Sequence, residues 1–232
     1  MEHYFSIAIP TYEMSNYGEE FLNHSLKILY KQTFKNFEVV VSDHSLNDKI
    51  ENLCNDWKNK LNIRYFRNEH KRGGSSPNIN NAIKKSTGKW IKILLQDDFL
   101  FGTDALENLK SHIELNKDSV WFASASEHTK DGITMCRPYY PKWTEDIHSG
   151  NNLISSPSVI TIKNTEDKIY FNEELIWLMD VEYYKRMHQK HGEPCYFQTI
   201  NVVNRTWNHS VSNSLTKERK DSEVKLMKKK YD

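Results

Sequence analysis

Trp90-Ile91-Lys92-Ile93-Leu94-Leu95-Gln96-Asp97-Asp98 is the stretch on which the fold turns. A near-continuous apolar run bounded by polar residues reads as a buried strand, and this is the most strand-like run in the chain. It leads directly into two carboxylates. Acidic groups at the carboxyl end of a central parallel strand lie where open α/β sheets bind ligands.

Toward the amino terminus the pattern is strand, helix, strand. Phe5-Ser6-Ile7-Ala8-Ile9 is a short apolar run ended by Pro10, a buried strand opening into a loop. From Glu19 to Tyr30, Phe21, Leu22, Leu26, Ile28, Leu29 and Tyr30 approximate one helical face. Phe37-Glu38-Val39-Val40-Val41 follows as a strand ending at Ser42-Asp43, so the order implies a parallel pair with a right-handed crossover. The cycle repeats with a helix from Ile50 to Leu61, a short strand from Ile63 to Phe66 and a loop from Asn68 to Pro77. A helix from Asn78 to Thr87, capped by Gly88, leads into the central run.

Toward the carboxyl terminus, Thr103 to Asn116 reads as a helix with Thr103 as N-cap, and Val120 to Ala123 as a strand. Residues 124–156 are aromatic-rich and punctuated by Pro138, Pro141 and Gly150, the composition of loops shaping an acceptor pocket. Ser158 to Lys163 is expected as a strand, Leu175 to His188 as a helix and Tyr196 to Val203 as a strand. Thr216 to Asp232 is expected as a charged tail that is solvated and frayed.

Composition bounds the function. The 232 residues suit one large α/β domain, and 38% hydrophobic with 27% charged residues supports a buried core. A net charge of +1, from 32 basic and 31 acidic side chains, gives no global field to draw nucleic acid. Cys54, Cys136 and Cys195 are odd in number and widely spaced, which argues against a disulfide framework and fits a reducing cytosol. The sequence before Phe5 is too short for a signal peptide, and no stretch approaches the length of a membrane helix.

Four features fall at loop ends of the expected sheet. Pro10-Thr11-Tyr12 follows the first strand and brackets a flat base, or forms a helix-entry turn. Ser42-Asp43 ends the second, where a carboxylate accepts hydrogen bonds from a base or ribose, or makes an Asx turn. Asp97 and Asp98 repel one another unless a cation or a donor lies between them, and a hard divalent ion that also binds substrate phosphates meets that need. Met179-Asp180-Val181-Glu182 lies in a helical stretch, where carboxylates two apart face different sides; Asp180 is the one expected to face the cleft.

In order and spacing these residues resemble the family 2 glycosyltransferases of the GT-A fold. The likeness is carried by Ser6 to Tyr12, Val39 to Ser45, Asn80-Asn81-Ala82-Ile83 with Gly88-Lys89-Trp90-Ile91, and Gln96-Asp97-Asp98, with Asp180 extending it. It implies an α/β domain over residues 1–215 with a mostly parallel central sheet flanked by helices. About 1–100 would be the nucleotide-binding half and 101–215 the acceptor-binding half, with 216–232 as the tail.

It implies an inverting transfer of a sugar from a nucleotide-diphosphate donor to an acceptor hydroxyl, in cell-surface polysaccharide or lipopolysaccharide assembly, with Mn²⁺ or Mg²⁺ as cofactor. Pro10, Thr11 and Glu13 would line the nucleotide pocket, Asp43 the base and Asp97 the nucleoside. Asn80 would meet the diphosphate, although Asn78-Ile79 stands where the family has Ala-Arg. Asp98 would hold the metal, joined by His209, and Asp180 would be the base, although Met179 replaces the family's glutamate beside it. The implied acceptor is a glycan or a lipid-linked glycan. The setting is cytoplasmic, with the basic tail offering peripheral contact at the inner face of the membrane.

Two rivals stay open. A sugar nucleotidyltransferase would carry a glycine-rich, basic loop after the first strand, and Pro10-Thr11-Tyr12-Glu13-Met14 has none. A non-catalytic sugar-nucleotide or glycan-binding module is compatible with Met179 and the altered helix start.

Overall fold

Alternation along the first strand assigns side chains to two cores. Phe5, Ile7 and Ile9 enter one apolar cluster and Ala8 enters the other, as the period of two requires when a sheet is covered on both faces. The computed structural model describes residues 3–207 and 215–231. Its strands are β1 (Phe5–Thr11), β2 (Phe37–Asp43), β3 (Ile63–Arg67), β4 (Trp90–Ile93), β5 (Phe99–Leu100), β6 (Trp121–Thr129), β7 (Ile160–Lys163) and β8 (Cys195–Arg205). Its helices are α1 (Gly18–Lys31), α2 (Lys49–Trp57), α3 (Ser75–Lys85), α4 (Ala105–Leu115), α5 (Met179–His191) and α6 (Lys217–Tyr231).

The strands form one 8-stranded sheet in the order β3-β2-β1-β4-β7-β6-β8-β5. Pairing is parallel across β3-β2-β1-β4 and between β6 and β8, and antiparallel where β7 meets β4 and β6 and where β5 meets β8. On one face Leu22, Leu26 and Leu29 of α1, Ile50 and Leu53 of α2, and Leu106 and Leu109 of α4 close the core. On the other, Ile79 and Ile83 of α3, Val181 and Tyr184 of α5, and Met227 of α6 do so. Strand order reverses between β1 and β4, so their carboxyl ends flank a crevice.

Several expected boundaries shift for identifiable reasons. Helix α3 begins at Ser75, because Pro77 occupies its first turn, where a missing N–H costs nothing. The helix expected from Leu175 begins at Met179. β6 runs on to Thr129 through Ser124, Ser126, Glu127 and His128, all buried and hydrogen-bonded within the sheet or to its neighbours. The segment expected to be a frayed tail is helix α6, which buries Glu223 and Met227.

Gly88 is not the cap of α3, whose C-cap is Ser86. Its role is close approach: its N–H donates to Ser6 Oγ at 2.7 Å, and a Cβ there would lie 2.6 Å from the Phe5 carbonyl carbon. Backbone at that distance cannot yield without moving β1. Gly88→Ala is therefore expected to destabilise the fold by about 1–3 kcal/mol, read as a lower urea midpoint; an unchanged midpoint would show that β1 is free to shift.

Candidate active site

The crevice is built from the loops that leave β1, β2 and β4. Gln96 joins two parts of it: its Oε1 accepts the Tyr12 N–H at 2.9 Å and its Nε2 donates to the Gly18 carbonyl at 2.7 Å. The intervening turn places Met14, Ser15 and Asn16 at φ of 45°, 53° and 74°, three successive non-glycine residues in the left-handed region. Gly18 is required beneath it, because a Cβ would lie 2.2 Å from the Tyr12 carbonyl oxygen. The turn is thus held by packing against its own base, with Tyr12 partly exposed on its rim.

Asp43 braces this corner. Its Oδ1 accepts from Thr11 Oγ1 at 3.1 Å and Ser45 N at 2.9 Å, and its Oδ2 accepts from the Tyr65 hydroxyl at 2.8 Å. The carboxylate is fully buried, so it orders the ends of β1 and β2 rather than presenting a free oxygen to the opening. Arg67 pins the following loop by donating to the Ser45 and Asn47 carbonyls and to Asp48 and Glu51. Glu13 crosses between the loops and accepts from the Leu46 N–H. Pro10 and Thr11 are the last residues of β1 and lie beneath this wall.

Asn80, expected at the diphosphate, is engaged by the segment that precedes α5. Its Nδ2 donates to the Phe171 carbonyl and to Glu173, and its Oδ1 accepts from Phe171 N, which leaves a buried side chain wholly committed. Helical phase is the reason: residues two apart face different sides, and Asn78 is the one turned toward the crevice, bonding the Thr11 carbonyl and Ser42 Oγ.

The acidic corner follows β4. Asp98 is buried, with Oδ1 accepting the Arg205 N–H at 2.8 Å and Oδ2 within 3.4 Å of Ser156 Oγ. Asp97 is half-buried and accepts the Trp207 indole N–H at 3.2 Å, while its carbonyl accepts from Arg205 Nε. Burial raises both carboxyls above their usual range, and the charge of Asp97 raises Asp98 further. Burial and the same Asp97 charge raise the Tyr12 phenol, so the β1 and β4 loops meet electrostatically across the opening. Lys92 lies fully buried on β4 and donates to the Ser158 carbonyl; burial lowers its ammonium to about 7, against the pull of Asp98.

Asp180 approaches the same region from α5. Asn152 Nδ2 donates to its Oδ2 at 2.8 Å and also to the Ser155 carbonyl, and Ser156 next along the chain donates to Asp98. One short segment, 152–156, therefore touches both the acidic corner and the first turn of α5. Burial raises the Asp180 carboxyl to about 6, with the Glu223 charge adding to the effect and the Val181 N–H and Asn152 opposing it. Glu182 faces away, as its two-residue offset predicted, and is buried among Arg186, Lys230 and Tyr231.

Among the described residues no group of three or more His, Cys, Asp or Glu is arranged to hold a metal ion, and His209 lies outside the described residues. The donor chemistry nonetheless fits a hard divalent ion of the kind held by one or two protein carboxylates plus substrate phosphates. Asp97 and Asp98 are adjacent and mutually repelling, one half-buried and the other buried, and cannot both ionise cheaply without added positive charge. Arg205, Trp207, Asn152 and Ser156 were not singled out from sequence, because their contacts with the acidic residues span large separations. The aromatic residues expected at an acceptor site are partly engaged: Trp143 stacks on His188 at 3.9 Å, and the Tyr139 hydroxyl bonds the Asn152 carbonyl. A cavity of about 140 Å³ lined by Lys163, Tyr183 and His191 lies at the opposite end of the sheet, beyond the residue paired with Trp90.

A crevice at the strand-order reversal, a carboxylate pair in the loop after β4 and a third carboxylate linked to it through residues 152–156 are features of the GT-A class of nucleotide-sugar-dependent folds. The family model for glycosyl transferase family 2 matches residues 6–212, and the chain belongs to that family.

It is 26% identical over 182 residues to the poly(ribitol-phosphate) beta-N-acetylglucosaminyltransferase TarS of Staphylococcus aureus, a match covering 74% of this chain and 30% of the relative. It is 29% identical over 96 residues to the GalNAc(5)-diNAcBac-PP-undecaprenol beta-1,3-glucosyltransferase of Campylobacter jejuni, covering 41% of this chain and 30% of that protein. The chain thus spans about a third of these relatives. The crystal structure of S. aureus TarS in complex with UDP-GlcNAc superposes with a TM-score of 0.74 at 22% identity, over 98% of this chain and 65% of that one. A mannosyltransferase from Pyrobaculum calidifontis in complex with GDP-Man and Mn²⁺ gives 0.62 at 15% identity, over 88% of this chain and 57% of that one. No helix among the described residues is long and apolar enough to cross a membrane.

Proposed function

We propose that this chain is a metal-dependent inverting glycosyltransferase that moves a sugar, GlcNAc first among the candidates, from a uridine-diphosphate donor to a hydroxyl of a surface glycan or lipid-linked glycan. The observation that carries this reading is the 152–156 segment, which ties Asp98 and Asp180 to one side of the sheet, at the carboxyl ends of the parallel strands.

In this reading the nucleoside lies between the loops after β1 and β2. Pro10, Thr11 and Glu13 form its wall, Asp97 faces the ribose, and Asp43 and Asn80 act through the backbone they brace. Asp98, with Asp97 beside it and His209 as a further donor, would hold Mn²⁺ or Mg²⁺, which supplies neutralisation of the departing diphosphate. Asp180 takes the proton of the acceptor hydroxyl as its oxygen attacks the anomeric carbon; the bond from that carbon to the diphosphate oxygen breaks, and its electrons leave with the nucleotide. A carboxyl raised to about 6 is ionised at neutral pH yet basic enough to receive that proton. The nucleotide-binding half ends near residue 100 and the acceptor-binding half runs to about 215. The exposed face of α6, with Lys225, Lys228, Lys229 and Leu226, offers peripheral contact to an anionic inner membrane surface.

A thermal-shift panel of UDP, GDP, CDP and dTDP, each with Mn²⁺ and with EDTA, tests the donor assignment. UDP with Mn²⁺ is expected to raise Tm most, because a ligand that binds only the native state stabilises it. A larger shift with GDP, or no dependence on the metal, would contradict the proposal.

A further inference from the structure

Helix α5 begins at Met179 without a side-chain cap on its Leu178 N-cap. The amides just before it are satisfied from another part of the chain. Glu223, near the middle of α6, accepts from Ile176 N at 3.0 Å, Trp177 N at 2.9 Å and Leu178 N at 2.9 Å. Three successive N–H groups converging on one carboxylate make an anion-binding nest, here filled by the protein itself. The carboxylate is only 2% exposed and is held in turn by Arg219 Nε at 2.9 Å. Asp180 comes two residues after this nest.

α6 is fixed to α5 at a second point. Lys230 Nζ and the Tyr231 hydroxyl both donate to Glu182 Oε1, at 2.6 and 3.2 Å, and Met227 lies buried between the two attachments. The spacing Glu223, Met227, Lys230 repeats every three to four residues, so all three fall on one helical face. A helix fastened only for stability would need its apolar contact. This one instead spends its most buried charge on the three peptides that lead into the turn carrying Asp180.

We infer that Glu223 is a positioning residue, by which α6 sets the orientation of the turn that carries Asp180; the inference rests on the reading of Asp180 as the base. The ionisable groups facing Asp180 are Glu223 from α6 and Tyr184 from its own helix, while the 152–155 segment contributes only amide and carbonyl groups. Removing the Glu223 charge therefore removes an anion that another element contributes.

The test uses the full chain with Glu223→Gln, and Met227→Ala as a variant that loosens α6 but keeps the carboxylate. A carbon-13 NMR titration of the Asp180 carboxyl is expected to show a lower midpoint in Glu223→Gln and an unchanged one in Met227→Ala. Amide hydrogen exchange is expected to quicken across 176–182 in Glu223→Gln. For hydrolysis of UDP-GlcNAc with Mn²⁺, kcat is expected to fall about 10- to 100-fold with donor KM unchanged. An unchanged Asp180 midpoint together with unchanged exchange at 176–182 would overturn the positioning role. Activity that survives Asp180→Asn would instead overturn the base, so the two failures are separable.

Discussion

Asp180→Asn is expected to lower kcat by about 10²- to 10⁴-fold while leaving the UDP-induced thermal shift intact, the signature of losing a general base rather than a binding contact. The same change is expected to raise Tm at pH 8. The folded protein holds the Asp180 proton up to about pH 6, whereas the ordinary value is 3.8. Stability from the neutral carboxyl is therefore fully present below the ordinary value and is lost as pH rises through about 6. At pH 8 the wild-type protein bears the whole cost of ionising this carboxyl in the fold, about 3 kcal/mol. Asparagine does not ionise, so the two melting curves should converge near pH 4 and separate at pH 8. The wild-type kcat should fall on the acid side with a midpoint near 6. Full activity in the variant, or a Tm difference that ignores pH, would show that this carboxylate is not the base.

Asp98→Asn is expected to abolish the Mn²⁺-dependent part of UDP binding and to lower kcat/KM by roughly 10³-fold, the scale of losing several kcal/mol of charge stabilisation. The fold should survive, because the asparagine carbonyl can still accept the Arg205 N–H that Asp98 Oδ1 accepts. The measurement is the UDP thermal shift with Mn²⁺ and with EDTA. In the wild-type protein the two should differ; in the variant they should coincide. A variant that keeps the metal-dependent difference would move the ion away from Asp98.

The parallel half of the sheet was legible because β1, β2 and β4 are buried on both faces and must be apolar nearly throughout, a pattern that needs no knowledge of neighbours. β6 was less legible: Ser124, Ser126, Glu127, His128 and Thr129 read as loop, yet each is buried in the sheet. Their burial is tolerated because partners such as the Val159 carbonyl and Asn204 satisfy them, and those partners are distant in sequence. α6 was hidden for a related reason. Its inward positions are a charged residue, Glu223, and one methionine, so the apolar periodicity that betrays a docked helix is almost absent.

At the site, the acidic residues stood out by their place after a strand, but the bracing residues did not. The commitment of Asn80 to Phe171 and Glu173, and of Arg205 to Asp97 and Asp98, are properties of the folded neighbourhood. Asp43 shows the same limit from the other side. Its position at the end of β2 was readable, but the closure of its carboxylate by Thr11, Ser45 and Tyr65 was not.

The left-handed run at Met14, Ser15 and Asn16 bears on how this protein would respond to selection. Met14 and Ser15 each carry a cost of about 1–2 kcal/mol that glycine would not incur, while Asn16 tolerates this region better. A library screened for heat resistance alone should therefore favour glycine at Met14 and Ser15, while one screened for turnover should retain the side chains that keep the rim beside Tyr12 in one shape.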